Sequence, residues 1–202
     1  MPKYSGALRI IEKELHVSYG TGKTIFVEHC NDIFADGVAP EMVRQVLDHC
    51  RQFPENTYLF HTKNPARYRE FLGEMPEKRI LGATVETNRP TPTISKAPAP
   101  SSRLEAMASL PGRKLITVEP IMEFDLPDLA AGILKVQPEM VAIGADSKGT
   151  GLPEPKRQEL VGLIQQLYAA RIKVKQKGNL GRLLISQTTT PPRLAPQRRN
   201  VP

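Results

Sequence analysis

The chain has 202 residues, with 28 Lys and Arg against 21 Asp and Glu, giving a formal net charge of +7. That length favours one domain with a core large enough to need neither disulfides nor metals. There is no run of about 18 apolar residues and no apolar secretory stretch at the amino terminus, so a cytoplasmic protein with no membrane partner is expected. Cys30 and Cys50 are the only two cysteines, too few for a disulfide framework or an all-cysteine zinc site.

Residues 1–20 read as a helix with Leu8, Ile11 and Leu15 on its apolar face, ending around Gly20-Thr21-Gly22. Six short apolar strands follow, at 24–27, 58–60, 80–85, 115–118, 140–144 and 172–174, most of them running into polar or charged residues. Helical spacing fills the gaps between strands. Val43, Val46, Leu47 and Cys50 form one stripe. Tyr68, Phe71, Leu72 and Met75 form another, with Asn64 as a cap and Pro65 in the first turn. Leu104, Met107, Ala108 and Leu110 follow, then Leu126, Leu129, Ile133 and Leu134. The last stripe is Leu160, Val161, Ile164, Leu167 and Tyr168. Between the third strand and its helix, residues 88–102 carry four prolines, which fits a lid, a binding loop or a passive excursion. The folded unit is set at 4–183 and a basic tail at 184–202. Residues 181–202 hold Arg182, Arg193, Arg198 and Arg199 and no acid. Disorder is expected from about Gln187 onward, and the tail is either a solvated end or a contact for nucleic acid.

Alternating strands and helices predict a parallel α/β sheet, either open and doubly wound or curled into a full or partial barrel. In a barrel the carboxyl ends of the strands converge on one rim, which makes their polar residues the candidate site. Asn31 and Asp32 follow the first strand; Thr62 and Lys63 the second; Glu86, Asn88 and Arg89 the third; Glu119 the fourth; Asp146 and Lys148 the fifth. Glu86 and Glu119 close apolar strands, so at least one of them calls for a cationic partner or a shifted pKa, with Arg89 or Lys148 as candidate partners. Lys63, ahead of a helix N-terminus, suits an anion or stands free in solvent. Asp32 either pairs with a ligand's ammonium or caps the next helix. Asp146, beside Gly144, reads as a ligand-facing turn.

The strings Ser5-Gly6-Ala7-Leu8-Arg9, Phe60-His61-Thr62-Lys63-Asn64-Pro65, Ile80-Leu81-Gly82-Ala83-Thr84-Val85-Glu86-Thr87-Asn88-Arg89, Ile94-Ser95-Lys96-Ala97-Pro98, Val118-Glu119-Pro120-Ile121-Met122 and Ile143-Gly144-Ala145-Asp146-Ser147-Lys148 resemble those of a phage-associated family of radical S-adenosylmethionine-like proteins. The resemblance runs in order from about Tyr4 to Leu183. It implies a partial, TIM-like β/α barrel holding S-adenosylmethionine at its rim beside a [4Fe-4S] cluster, and reductive cleavage of that cofactor to a 5′-deoxyadenosyl radical. It also implies that Asn31 and Asp32 meet the cofactor's amino end; from their places on the rim, Thr62, Lys63, Asn88 and Lys148 join them as candidate cofactor-binding residues, and Glu86, Glu119 and Asp146 are the candidate catalytic residues. The Cys-x3-Cys-x2-Cys loop that would hold the cluster is absent from this sequence. Together with the helical start, this leads to the expectation that the first strand and cluster loop are missing, leaving an N-terminally truncated barrel inactive alone. The alternatives are a non-catalytic nucleoside- or nucleic-acid-binding module, or a metal-independent barrel enzyme using Glu86, Glu119, Asp146 and Lys63. The substrate stays open.

Overall fold

The computed structural model describes residues 7–27 and 31–185. Glu28, His29, Cys30 and residues 186–202, with most of the expected tail, lie outside the described residues. Six strands form one sheet: β1 (Thr24–Phe26), β2 (Thr57–Thr62), β3 (Arg79–Thr84), β4 (Arg113–Val118), β5 (Met140–Ile143) and β6 (Lys173–Gln176). They are all parallel and lie side by side in chain order. The connecting helices are α1 (Pro40–Arg51), α2 (Tyr68–Phe71), α3 (Pro100–Ser109), α4 (Leu126–Val136) and α5 (Arg157–Ala169), with a short α6 (Gly181–Leu184) after β6.

Chain-order parallel strands with crossovers of one hand put every connecting helix on the same face. The core lies there: Val43, Leu47 and Cys50 of α1, Leu104 and Met107 of α3, Leu129 and Ile133 of α4 and Leu160, Leu163 and Leu167 of α5 pack on Tyr58, Phe60, Leu81, Ala83, Ile116, Val118, Val141 and Ile143. Side chains alternate along a strand, so His61, Gly82, Thr84, Leu115, Thr117, Met140 and Ala142 occupy the other face. The sheet curls around that face into a half-barrel, so it is concave, and among the described residues no connecting helix packs on it. Among the described residues no helix is long and apolar enough to cross a membrane.

Three expectations are corrected. Residues 7–23 form no long helix, only a 3-10 turn at Glu12–His16. Leu8 and Ile11 are 58% and 50% exposed, so a helix there would have little apolar surface to bury. The segment is anchored instead by Tyr19, whose ring packs on His49, Phe53 and Tyr58. Asn56 adds a clamp, accepting from Lys23 N at 2.9 Å and donating to Gly20 O at 2.8 Å. Asn64 makes no side-chain cap and donates instead to Asp36 at 2.7 Å, and the chain passes through a 3-10 turn at Pro65–Arg67 into α2. On α5, Leu163 rather than Tyr168 belongs to the buried stripe, and Tyr168 is exposed.

Candidate functional site

Residues that follow a strand in its alternation stay on the strand's face for a step or two. Lys63, Glu86, Glu119 and Lys177 thereby arrive at the concave rim from the ends of β2, β3, β4 and β6. Lys63 Nζ pairs with Glu86 Oε1, and Lys177 Nζ pairs with Glu119 Oε2. Gly144 supplies the space between: a Cβ there would lie 2.5 Å from Glu119 Oε1 and 3.0 Å from Lys177 Cδ.

Glu86 has a second cation. Arg103, in the first turns of α3 and fully buried, donates from Nη1 to Glu86 Oε2 at 2.8 Å and to Thr84 O at 3.0 Å, and from Nε to Pro98 O at 2.6 Å. It thus ties the proline-rich loop to the rim. Its Nη2 is buried and has no hydrogen-bond partner among the described residues. Burial pushes the Glu86 carboxyl up, but the Lys63 ammonium, through charge and hydrogen bond, and the Arg103 guanidinium more than reverse this and hold it below its ordinary range.

His61 lies beneath the pairs. Its Nε2 is 3.0 Å from Thr117 Oγ1 and its Nδ1 is 3.4 Å from Thr84 Oγ1. Gly82 is the residue over which the ring lies, since a Cβ there would sit 2.5 Å from His61 Cδ2. Burial lowers the imidazole pKa to about 4, with Lys177 and Lys63 adding to the shift and Asp32 and Glu119 opposing it. His61 is therefore a neutral hydrogen-bonding group at pH 7.

The remaining sequence candidates are placed as follows. The Asp32 carboxylate accepts from Thr62 Oγ1 and Lys63 N, each at 2.9 Å, and from Phe34 N at 3.0 Å. It fixes the backbone that presents Lys63, and Thr62 is buried in that arrangement. Asn31, exposed, lines with Asp32 and Phe26 a largely apolar cavity of about 720 Å³ between residues 8–19, β1 and α1. Asn88 accepts from Asp125 N at 2.8 Å, and Arg89 pairs with Asp125 and Glu123, so both clamp the loop after β4. Asp146 folds onto its own loop, accepting from Lys148 N at 2.9 Å, Thr150 N at 2.5 Å and Thr150 Oγ1 at 2.7 Å. The Thr150 hydroxyl and the Lys148 amide hold its pKa below the ordinary value. Lys148 is exposed. The structure therefore gathers Lys63, Glu86 and Glu119, and leaves Asp146, Asn88 and Lys148 in the flanking loops.

The partners of the two glutamates are Lys63, Arg103 and Lys177, in place of Arg89 or Lys148. Arg103 had a signal in the sequence, because it falls on the stripe of Met107 and Leu110. Lys177 follows the sixth apolar strand and so was itself a strand-end charge, but its pairing with Glu119, across 58 positions, had no local signal.

A helix-backed parallel half-barrel with a charged concave rim defines the general class: a β/α scaffold of the barrel type, whose binding chemistry sits at the carboxyl ends of its strands. Within that class the chain belongs to a family of unknown function, DUF5131, whose model matches residues 6–147. No curated protein matches the chain, and no solved structure does.

Proposed function

We propose that this partial, TIM-like barrel binds S-adenosylmethionine, or a nucleoside with the same amino-acid group, at its rim. The observation that carries the reading is the pair of adjacent salt bridges, Lys63 with Glu86 and Lys177 with Glu119. Their lysine side chains are 41% and 38% exposed while the carboxylates lie deeper. A ligand bearing both an ammonium and a carboxylate can exchange partners with such pairs without leaving any charge unpaired, which keeps the desolvation cost low. Lys63 and Lys177 would take the carboxylate. Glu119, the more accessible acid, would take the ammonium or a ribose hydroxyl. His61 and Thr117 offer neutral hydrogen bonds beneath. The resemblance to radical S-adenosylmethionine-like proteins supplies the choice of nucleoside.

The cluster of that family does not fit this chain's own residues. Cys50 is fully buried on the core side of α1, and Cys30 is the only other thiol, whereas a cluster of this kind takes three thiolates. The reading for this chain is therefore ligand binding, and no radical step is derived.

Titration calorimetry of the full chain with S-adenosylmethionine and S-adenosylhomocysteine tests it. Saturable binding is expected, weakened about tenfold or more by Glu119→Gln and by Lys63→Ala with the melting temperature nearly unchanged. Absence of saturable binding to both compounds, or equal binding by both variants, overturns it.

A further inference from the structure

β1 is the first strand of the sheet, and among the described residues no strand lies beyond it. The apolar cavity of about 720 Å³ beside it, walled by residues 8–19 and by α1, has the size of a small-molecule pocket. Met42, Val46 and His49 line it from one face of α1, over about 10 Å of helix, so the lining is long rather than round. Leu8, Ile11 and Phe26 border it and are exposed. Apolar surface is therefore held open there instead of being spent on the core. His49 is the exception in this lining. It is 4% exposed, and both of its ring nitrogens are buried with no hydrogen-bond partner among the described residues. Its ring meets those of Tyr19 and Phe53 edge-on, with centroids 4.8 and 5.5 Å away, contacts that give neither nitrogen a partner. A buried polar group normally has one, and going without costs stability. Of the charged lining residues, Arg9 and Glu14 are exposed and Asp32 is engaged by Thr62, Lys63 and Phe34, so no buried charge in the cavity awaits a counter-ion.

We infer that this cavity binds an elongated, uncharged apolar molecule bearing a hydroxyl group, of the kind of an alkyl alcohol, with the hydroxyl paired to His49. A neutral imidazole presents one donor and one acceptor, and a hydroxyl answers either of them. The apolar chain lies along Met42 and Val46 and takes Leu8, Ile11 and Phe26 out of water, which supplies the affinity. A carboxylate in the same place would carry its charge into apolar surroundings at a cost. A second copy of the chain is a poorer occupant, because a cavity walled on two sides by one polypeptide admits a slender molecule more readily than a folded surface. The inference concerns the outer side of β1 and stands whether or not the rim takes an S-adenosyl compound.

Displacement of the fluorophore Nile red from the full chain by n-octanol and by octanoate tests it. Octanol is expected to displace the dye saturably, and octanoate, charged at neutral pH, about tenfold less well. His49→Phe exchanges the imidazole for an apolar ring, so it should weaken octanol about tenfold while leaving the melting temperature unchanged or higher. A histidine that serves only the packing would give no such loss of affinity. Val46→Trp, at a half-buried position of the lining, fills the cavity from a second side and is expected to abolish displacement, which keeps the test open should the histidine variant not fold. Absence of saturable displacement overturns the inference. So does undiminished octanol affinity in His49→Phe or in Val46→Trp, or octanoate binding as tightly as octanol. Sedimentation that shows a dimer broken up by Val46→Trp also overturns it, since a second copy would then be the occupant.

Discussion

Glu86 answers to two cations, one of them sealed inside the protein, so cutting it and cutting Glu119 have different consequences. Removing the Glu86 carboxylate leaves the Arg103 guanidinium buried without its counter-ion. Glu86→Ala is therefore expected to cost roughly 3–5 kcal/mol in urea denaturation. The Glu119–Lys177 pair is reached by solvent, and Glu119→Ala should cost about 1 kcal/mol or less. Equal losses for the two would contradict the burial of Arg103. His61 gives a pH signature of its own. Its folded pKa, about 4, lies below the ordinary 6.5, so the unfolded chain takes up the proton first. The stability tied to neutral His61 is complete above pH 6.5 and is lost as pH falls toward 4, by roughly 3 kcal/mol in all. A His61→Asn variant should lack this slope when stability is followed from pH 7.5 to 4 (about that range spans both pKa values), and a variant that keeps it would remove His61 as the cause.

Two glycines, Gly82 in β3 and Gly144 just beyond β5, separate backbone from side-chain constraints at the level of the element. At Gly82 a methyl group meets both the His61 ring and Phe60 O, the latter at 2.9 Å. Backbone cannot yield cheaply, so Gly82→Ala should lower stability by about 1–3 kcal/mol. At Gly144 the obstructing atoms are the ends of the Glu119 and Lys177 side chains. Gly144→Ala should part that pair and impair rim binding while moving the melting temperature little, which paired melting and calorimetry would check. The elements themselves were largely legible in the sequence: the strands read as short apolar runs bounded by polar residues, and all six were found. Residues 1–20 were not. The spacing of Leu8, Ile11 and Leu15 mimics a helical stripe, but periodicity alone does not supply the surface against which such a stripe must pack. At the site, Lys63, Glu86 and Glu119 were readable as strand-end charges. Their partners depended on crossing the sheet, and Arg103 was hidden by the habit of treating arginine as exposed.

At the scale of the molecule, the strand order is what no local pattern reveals. Alternating strands and helices are equally compatible with doubly wound sheets, and only the order β1 to β6 puts all the helices on one side and frees a face. Among the helices and strands, the principal contacts accordingly join neighbours along the chain: each strand with the next, α3 with α4, α4 with α5. Long-range closure, which ties the first unit of a full barrel to the last, plays no part in that set. Such an arrangement behaves like a linear array of coupled units, in which cooperativity decays with distance from a perturbation. Amide exchange should be slowest in β3 and β4 and faster toward β1 and β6, and a destabilising change in α5 should speed exchange in β5 and β6 while leaving β2 nearly untouched. Uniform protection across the sheet would show a single all-or-none unit instead. A protein built this way can loosen one flank while the other keeps its shape, so a binding event on one margin of the sheet need not be felt at the opposite one.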